Sequence, residues 1–233
     1  MSWEAAEAAG GSSRVVPRRF ELIVFDWDGT LFDSTALIVQ CIQAAVRDVG
    51  AHPPSPERAA WVIGMGLAQA LAHAAPEVPP ERHGELVRRY QQHWFARQHE
   101  VTLFDGVVPM LHELRTRGHR LAVATGKSRR GLDAALQTVQ LQGLFDASRT
   151  ADETASKPHP QMLLELMEEL QVEPQHTLMI GDTTHDLLLA RNAGCAAVAV
   201  NYGAHAHEDL LAHEPLAVAH SVAELRQWLR AHA

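Results

Sequence analysis

The chain has 233 residues, long enough to bury one large domain or a domain that carries an insertion. Its composition, 46% hydrophobic and 21% charged, is ordinary for a soluble globular protein, and no apolar run approaches membrane-spanning length. A net charge of −8 with no basic run or stripe argues against nucleic acid as a main partner. Residues 1–17 are rich in Ala, Gly, Glu and Ser and lack the basic start and apolar stretch of a signal peptide. They read as a flexible tail on a cytoplasmic protein. The next segment, Leu22–Phe25, is an apolar run that predicts a buried strand.

Residues 34–104 read as helical throughout: Thr35–Val49, Arg58–Val62, Leu67–Ala75 and Pro80–Arg97, with a proline-rich turn at His52–Pro56. Gly64 and Gly66 flank Met65 in what reads as a tight turn. From residue 105 helices and strands alternate. Helix Val107–Arg117 stops at Gly118, strand Arg120–Thr125 follows, and Ser128 caps a helix to about Val139. Next come strand Leu144–Ser148, helix Pro160–Leu170, strand Thr177–Gly181, helix Thr184–Ala193 and strand Ala196–Val200. A weak strand Leu216–Ala219 and a helix Val222–Ala231 close the chain. The alternation predicts an α/β fold: a Rossmann-like parallel sheet with helices on both faces, interrupted by an inserted all-helical block. The expected division is a tail at 1–17, a core at 18–33 and 105–233, and the helical block at 34–104.

The chemistry-bearing residues gather at strand ends. Asp26 and Asp28 follow the first strand at i and i+2, so they point to one side of an extended segment. Ligands in open α/β sheets bind beyond the carboxyl ends of strands. Two acids held together repel unless a cation or a proton lies between them, which points to a divalent metal with one carboxylate left for chemistry. Thr125 ends a strand just before a helix, where a hydroxyl and the following amides suit phosphate oxygens. Of the 20 basic residues only Lys127 and Lys157 are lysines. A compact ammonium fits a point-charge contact beside a carboxylate better than a guanidinium fork. Asp182 and Asp186 follow the strand Thr177–Gly181. Thr183 reads as a cap for the next helix and Asp33 as a cap for the first helix of the insertion.

These stretches resemble, in order, the four motifs of the haloacid dehalogenase superfamily. Asp26-Trp27-Asp28-Gly29-Thr30-Leu31-Phe32-Asp33-Ser34 looks like the first and Leu121–Gly126 the second. Ser156-Lys157-Pro158 looks like the third, and Leu178–Asp186, with its Gly-Asp-x-x-x-Asp, the fourth. The resemblance implies an Mg²⁺-dependent phosphatase. Asp26 would be the nucleophile that takes the phosphoryl group. Asp28 would protonate the leaving alkoxide and then take a proton from the attacking water. Thr125, Gly126 and Lys157 would bind the phosphate. Asp26, Asp182 and the Asp28 backbone carbonyl would ligate the metal; Asp186 either supports that set or holds Lys157. Lys127 is either a nearby surface charge or a neighbour of the phosphate site.

The helical block resembles the family's helical cap, which places Gly64 and Met65 over the substrate. Within the family the chain looks most like phosphoglycolate phosphatases, so the expected partner is a small phosphorylated metabolite, with no nucleic acid or membrane, for a monomer or homodimer. It departs from their pattern at Asp105-Gly106 and at Gly126. The alternatives are a β-phosphoglucomutase-type phosphomutase and a non-catalytic phosphate-binding module. Phosphonoacetaldehyde hydrolysis needs a cap lysine, and there is none. His159, His176, His185, His205, His207 and His213 show no ligand framework and are expected to face solvent. Cys41 and Cys195 are expected to be buried free thiols.

Overall fold

The computed structural model describes residues 19–233, so the expected tail lies outside the described residues. Six strands form one fully parallel sheet: β1 (Leu22–Phe25), β2 (Arg120–Thr125), β3 (Ala147–Thr150), β4 (Thr177–Gly181), β5 (Ala196–Val200) and β6 (Val218–Ala219). Their order is β3-β2-β1-β4-β5-β6. Between β1 and β2 come α1 (Thr35–Asp48), α2 (Pro56–Trp61), α3 (Leu67–Ala74) and α4 (His83–Arg97), then α5 (Val107–Thr116). The remaining helices are α6 (Arg129–Thr138), α7 (Gln161–Leu170), α8 (Thr184–Asn192), α9 (His207–Leu211) and α10 (Val222–His232).

Strand β1 is buried on both faces, as a central parallel strand must be. Its alternate residues feed two apolar layers. Ile23 and Phe25 pack with Leu111 of α5, Leu132 of α6 and Leu225 of α10. Leu22 and Val24 pack with Leu163 of α7 and Leu189 of α8. Helices α1 to α4 build a third, separate cluster around Ile42, Ala59, Leu71 and Leu86, so the insertion has its own core. The strands fan out from β1 in opposite directions, β2 and β3 to one side and β4 to β6 to the other. The switch point lies at the carboxyl ends of β1 and β4, where ligand crevices form in such sheets.

Most elements lie within two residues of the expectation; α9 forms in a polar segment expected to be a loop, where Leu210 buries its side chain, and three further details differ. Strand β3 starts at Ala147, not Leu144. Leu144 and Phe145 pack on the apolar layer from a loop, and Asp146 closes that loop by accepting the Leu121 N–H at 2.8 Å and pairing with Arg115 at 2.5 Å. Strand β6 is only Val218–Ala219. Asp33 is exposed and caps nothing: Ser34 holds the N-cap position of α1, and its hydroxyl donates to Asp28 Oδ1 at 2.6 Å. Ser55 and Ser128 cap α2 and α6 through Arg58 N–H and Gly131 N–H. Cys41 is buried, Cys195 half-buried, and both are free thiols. Among the described residues no helix is long and apolar enough to cross a membrane.

Candidate active site

Asp26 is the first residue past β1, and its N–H still donates to Ile180 O of β4 at 2.8 Å. The sheet therefore sets its position directly. Asp182 is the first residue past β4, and the two carboxylates stand side by side at the switch point. Asp186 joins them from the first turn of α8. Ligand oxygens of Asp26, Asp182 and Asp186 lie within 4.8 Å of one another, and all three residues are buried.

Lys157, fully buried, places its ammonium 2.6 Å from Asp26 Oδ1 and 2.6 Å from Asp186 Oδ1. Asp186 is thus a holder of Lys157, and its second oxygen accepts the Thr183 N–H at 3.1 Å and the Thr183 hydroxyl at 2.6 Å. Asp182 accepts the Thr30 hydroxyl at 2.8 Å and the Ala204 N–H at 2.8 Å. Glycines make room for these acids. A Cβ at Gly29 or Gly203 would collide with the Asp182 carboxylate, and one at Gly181 with that of Asp186.

Three buried carboxylates share one ammonium, and the electrostatics register the imbalance. Burial pushes the Asp26 carboxyl up to about 7; Lys157 pulls it down and Asp186 pushes it up again. Burial, Asp26 and Asp186 hold Asp182 well above the usual carboxylate range despite the bonds from Ala204 and Thr30. Burial draws Lys157 down, yet Asp186 and Asp26 together hold its ammonium above its ordinary value. Asp26 Oδ2 is buried with no hydrogen-bond partner. Hard oxygen donors, an excess of negative charge and one unclaimed oxygen fit a hard divalent cation.

The Asp28 side chain stands outside this cluster. Its carboxylate meets Lys127 at 3.0 Å as well as Ser34, and the Lys127 ammonium also lies 4.5 Å from the Trp94 ring centroid of α4. Lys127 is therefore a site residue, only 12% exposed, and each lysine of the chain holds an acid of the site. Thr125 is buried, and its hydroxyl accepts the Lys127 N–H at 3.2 Å. A cavity of about 610 Å³ opens over Asp26, Asp28, Thr125, Gly126, Gly64 and Met65.

Besides the Lys127–Trp94 contact, the helical insertion docks on this surface at three points. The Gly66 N–H donates to Ser156 Oγ at 2.8 Å. Gly126 lies so close to the turn at Gly64 and Met65 that a Cβ there would strike both carbonyl oxygens. Any side chain at this position would collide with the turn, which gives a reason for the glycine at 126. His185 and His205 form the third contact: both are buried, and their Nε2–H groups donate to Trp61 O at 2.9 and 3.0 Å. The expectation that they face solvent is wrong, because polar spacing in the sequence does not reveal the helix that covers them. Burial lowers both imidazoles from their ordinary value. His159 is exposed, while His176, His207 and His213 are half-buried.

A sequence profile of the haloacid dehalogenase-like hydrolases matches residues 23–200. The chain is 38% identical to a probable phosphatase, IndB, of Dickeya dadantii, over 88% of this chain and 91% of that protein. It is 33% identical to a phosphoglycolate phosphatase of Vibrio vulnificus, over 89% and 95% of the two chains. It is 32% identical to a 5'-nucleotidase of Pseudomonas aeruginosa, over 92% and 97%.

The packing at Gly126 predicts the outcome of Gly126→Ala. The methyl meets backbone carbonyls, which cannot rotate away, so the cap turn must lift from the core. A displacement on the order of 1 Å at a reacting centre costs about 10²-fold in rate. Turnover of a phosphomonoester by Gly126→Ala should fall by about that factor while urea unfolding stays near wild type. Unchanged kinetics would show that the turn does not dock during turnover.

Proposed function

The chain belongs to the haloacid dehalogenase-like hydrolases and is a phosphatase of that family, and on that premise we propose Mg²⁺-dependent hydrolysis of a small phosphomonoester through an aspartyl-phosphate on Asp26. The observation that carries the mechanism is the state of the Asp26 carboxylate. Lys157 holds one oxygen, and the other, buried and unclaimed, belongs to a residue that lines the cavity.

A carboxylate oxygen of Asp26 attacks phosphorus as the bond to the leaving-group oxygen breaks, and Asp28 gives that oxygen its proton. Asp28 then takes a proton from water, which attacks phosphorus and frees the Asp26 carboxylate and inorganic phosphate. Lys157 keeps Asp26 oriented and offsets charge on the phosphoryl group, while the Thr125 hydroxyl and the amides after it bind phosphate oxygens. Asp26, Asp182 and the Asp28 carbonyl, with Asp186 in support, would hold Mg²⁺, whose charge when bound offsets the repulsion between carboxylate and phosphate. The docked cap keeps bulk water from the reacting centre and favours small substrates. The relatives' names support phosphoglycolate-like esters and nucleotides alike, so the phosphoryl end of the substrate is better supported than its leaving group.

Asp26→Asn replaces the nucleophile with an amide and should lower turnover by about 10⁴-fold or more, as loss of a nucleophile does. Excess chelator should abolish phosphate release by the wild type. Full activity in either case contradicts the mechanism.

Asp28→Asn should slow alkyl phosphates by about 10²–10⁴-fold. In single turnover it should slow an aryl phosphate less, because its leaving group needs no proton. Equal losses on both would remove Asp28 from the role of leaving-group acid.

A further inference from the structure

The two walls of the cavity differ in kind. Every charged side chain that lines it, Asp26, Asp28, Lys127, Arg130 and Asp152, comes from the core. The cap contributes no charged residue to the lining among the described residues. Its share includes Ile38, Ile42, Val87, Trp94 and Phe95, joined by the neutral polar groups of Tyr90, Gln69, Gln91 and Gln98. None of the six cap arginines, Arg47, Arg58, Arg82, Arg88, Arg89 and Arg97, lines the cavity. Arg58 donates to His73 O, Arg82 pairs with Glu85 and donates to Val49 O, and Arg97 pairs with Glu100 and donates to Gln40. Lys127 is held by Asp28 and the Trp94 ring, and Arg130 is exposed on α6.

Phosphate binding consumes the core wall, so the leaving group must meet the cap wall. A carboxylate or a second phosphate placed there loses water and finds no cation, which is costly. An uncharged ring loses little and gains apolar contact with Trp94 and its neighbours. The volume of about 610 Å³ suits a ring-bearing ligand, and a glycolate would leave most of it empty. Resting on the phosphatase reading above, we infer that the substrate is the monophosphate of a neutral, ring-bearing alcohol, whose ring lies against the cap wall and whose polar edge meets the glutamines. This class includes nucleoside monophosphates and arylalkyl phosphates. It excludes phosphoglycolate and sugar bisphosphates as preferred substrates.

The test measures inorganic phosphate release with Mg²⁺ from five probes: p-nitrophenyl phosphate, nucleoside 5'-monophosphates, 2-phenylethyl phosphate, phosphoglycolate and glucose 1,6-bisphosphate. Release from p-nitrophenyl phosphate by wild type but not by Asp26→Asn tests the phosphatase reading by itself. The inference predicts kcat/KM higher by about 10–100-fold for a nucleotide or the phenylethyl ester than for phosphoglycolate or the bisphosphate, the range that pocket contacts produce. The nucleotide and phenylethyl arms separate the two kinds of ring. Gln91→Arg, at an exposed position of the cap wall, should shift that ratio toward phosphoglycolate by about tenfold. Phosphoglycolate or the bisphosphate as the best substrate of the wild type overturns the inference and leaves the phosphatase intact. No release from any probe overturns both.

Discussion

The active site depends on how three buried carboxylates are held within reach of one another around a single ammonium. Asp26, Asp182 and Asp186 repel, and burial strengthens the repulsion because little water screens it. Only a scaffold that over-determines each acid can keep them together. The parallel pairing of β1 with β4 sets Asp26 and Asp182 side by side. Lys157 bridges Asp26 to Asp186, and hydrogen bonds from Thr30, Thr183 and Ala204 fix the remaining oxygens. Glycines 29, 181 and 203 exist to leave space for the acids. What stays unclaimed is one oxygen of Asp26.

The cap supplies the second half of the argument. Its own apolar core lets it hold shape apart from the sheet, while its contacts with the core mix hydrogen bonds, from Gly66, Trp61 and their partners, with the packing of Trp94 and Trp61. That combination suits an element that docks as a unit. Lys127 ties the two halves together, since the same ammonium meets Asp28 of the core and Trp94 of the cap. The charge asymmetry between the walls is the basis of our inference that the core takes the phosphate and the cap an uncharged remainder.

The parallel sheet, the helical insertion and the core of the site were legible in the sequence. Buried parallel strands are continuous apolar runs, and Asp26, Thr125 and Asp182 sit at the ends of those runs, while Lys157 stood out as one of only two lysines, so none of the four needed tertiary information to be nominated. Edge strand β3 was displaced because the most apolar residues nearby, Leu144 and Phe145, pack from a loop rather than pair. Lys127, Trp94, His185 and His205 escaped assignment for a different reason. Their roles arise where the cap meets the core, and residue spacing within one element carries no record of a surface that comes from another. Gly126 looked like a departure from pattern, and its reason is the close approach of Met65 O. Thr30 and Ser34 stood inside the first motif, but their donation to Asp182 and Asp28 was visible only in three dimensions.

The central claim is that Asp26 becomes covalently phosphorylated. Rapid acid quench of a single turnover with a ³²P-labelled phosphomonoester, followed by tryptic digestion, tests it most directly. The account predicts label on the peptide Phe20–Arg47, lost on mild base treatment, with borohydride converting Asp26 to homoserine. Turnover at the normal rate with no label on the protein at any quench time, or label on a residue other than Asp26, would contradict it.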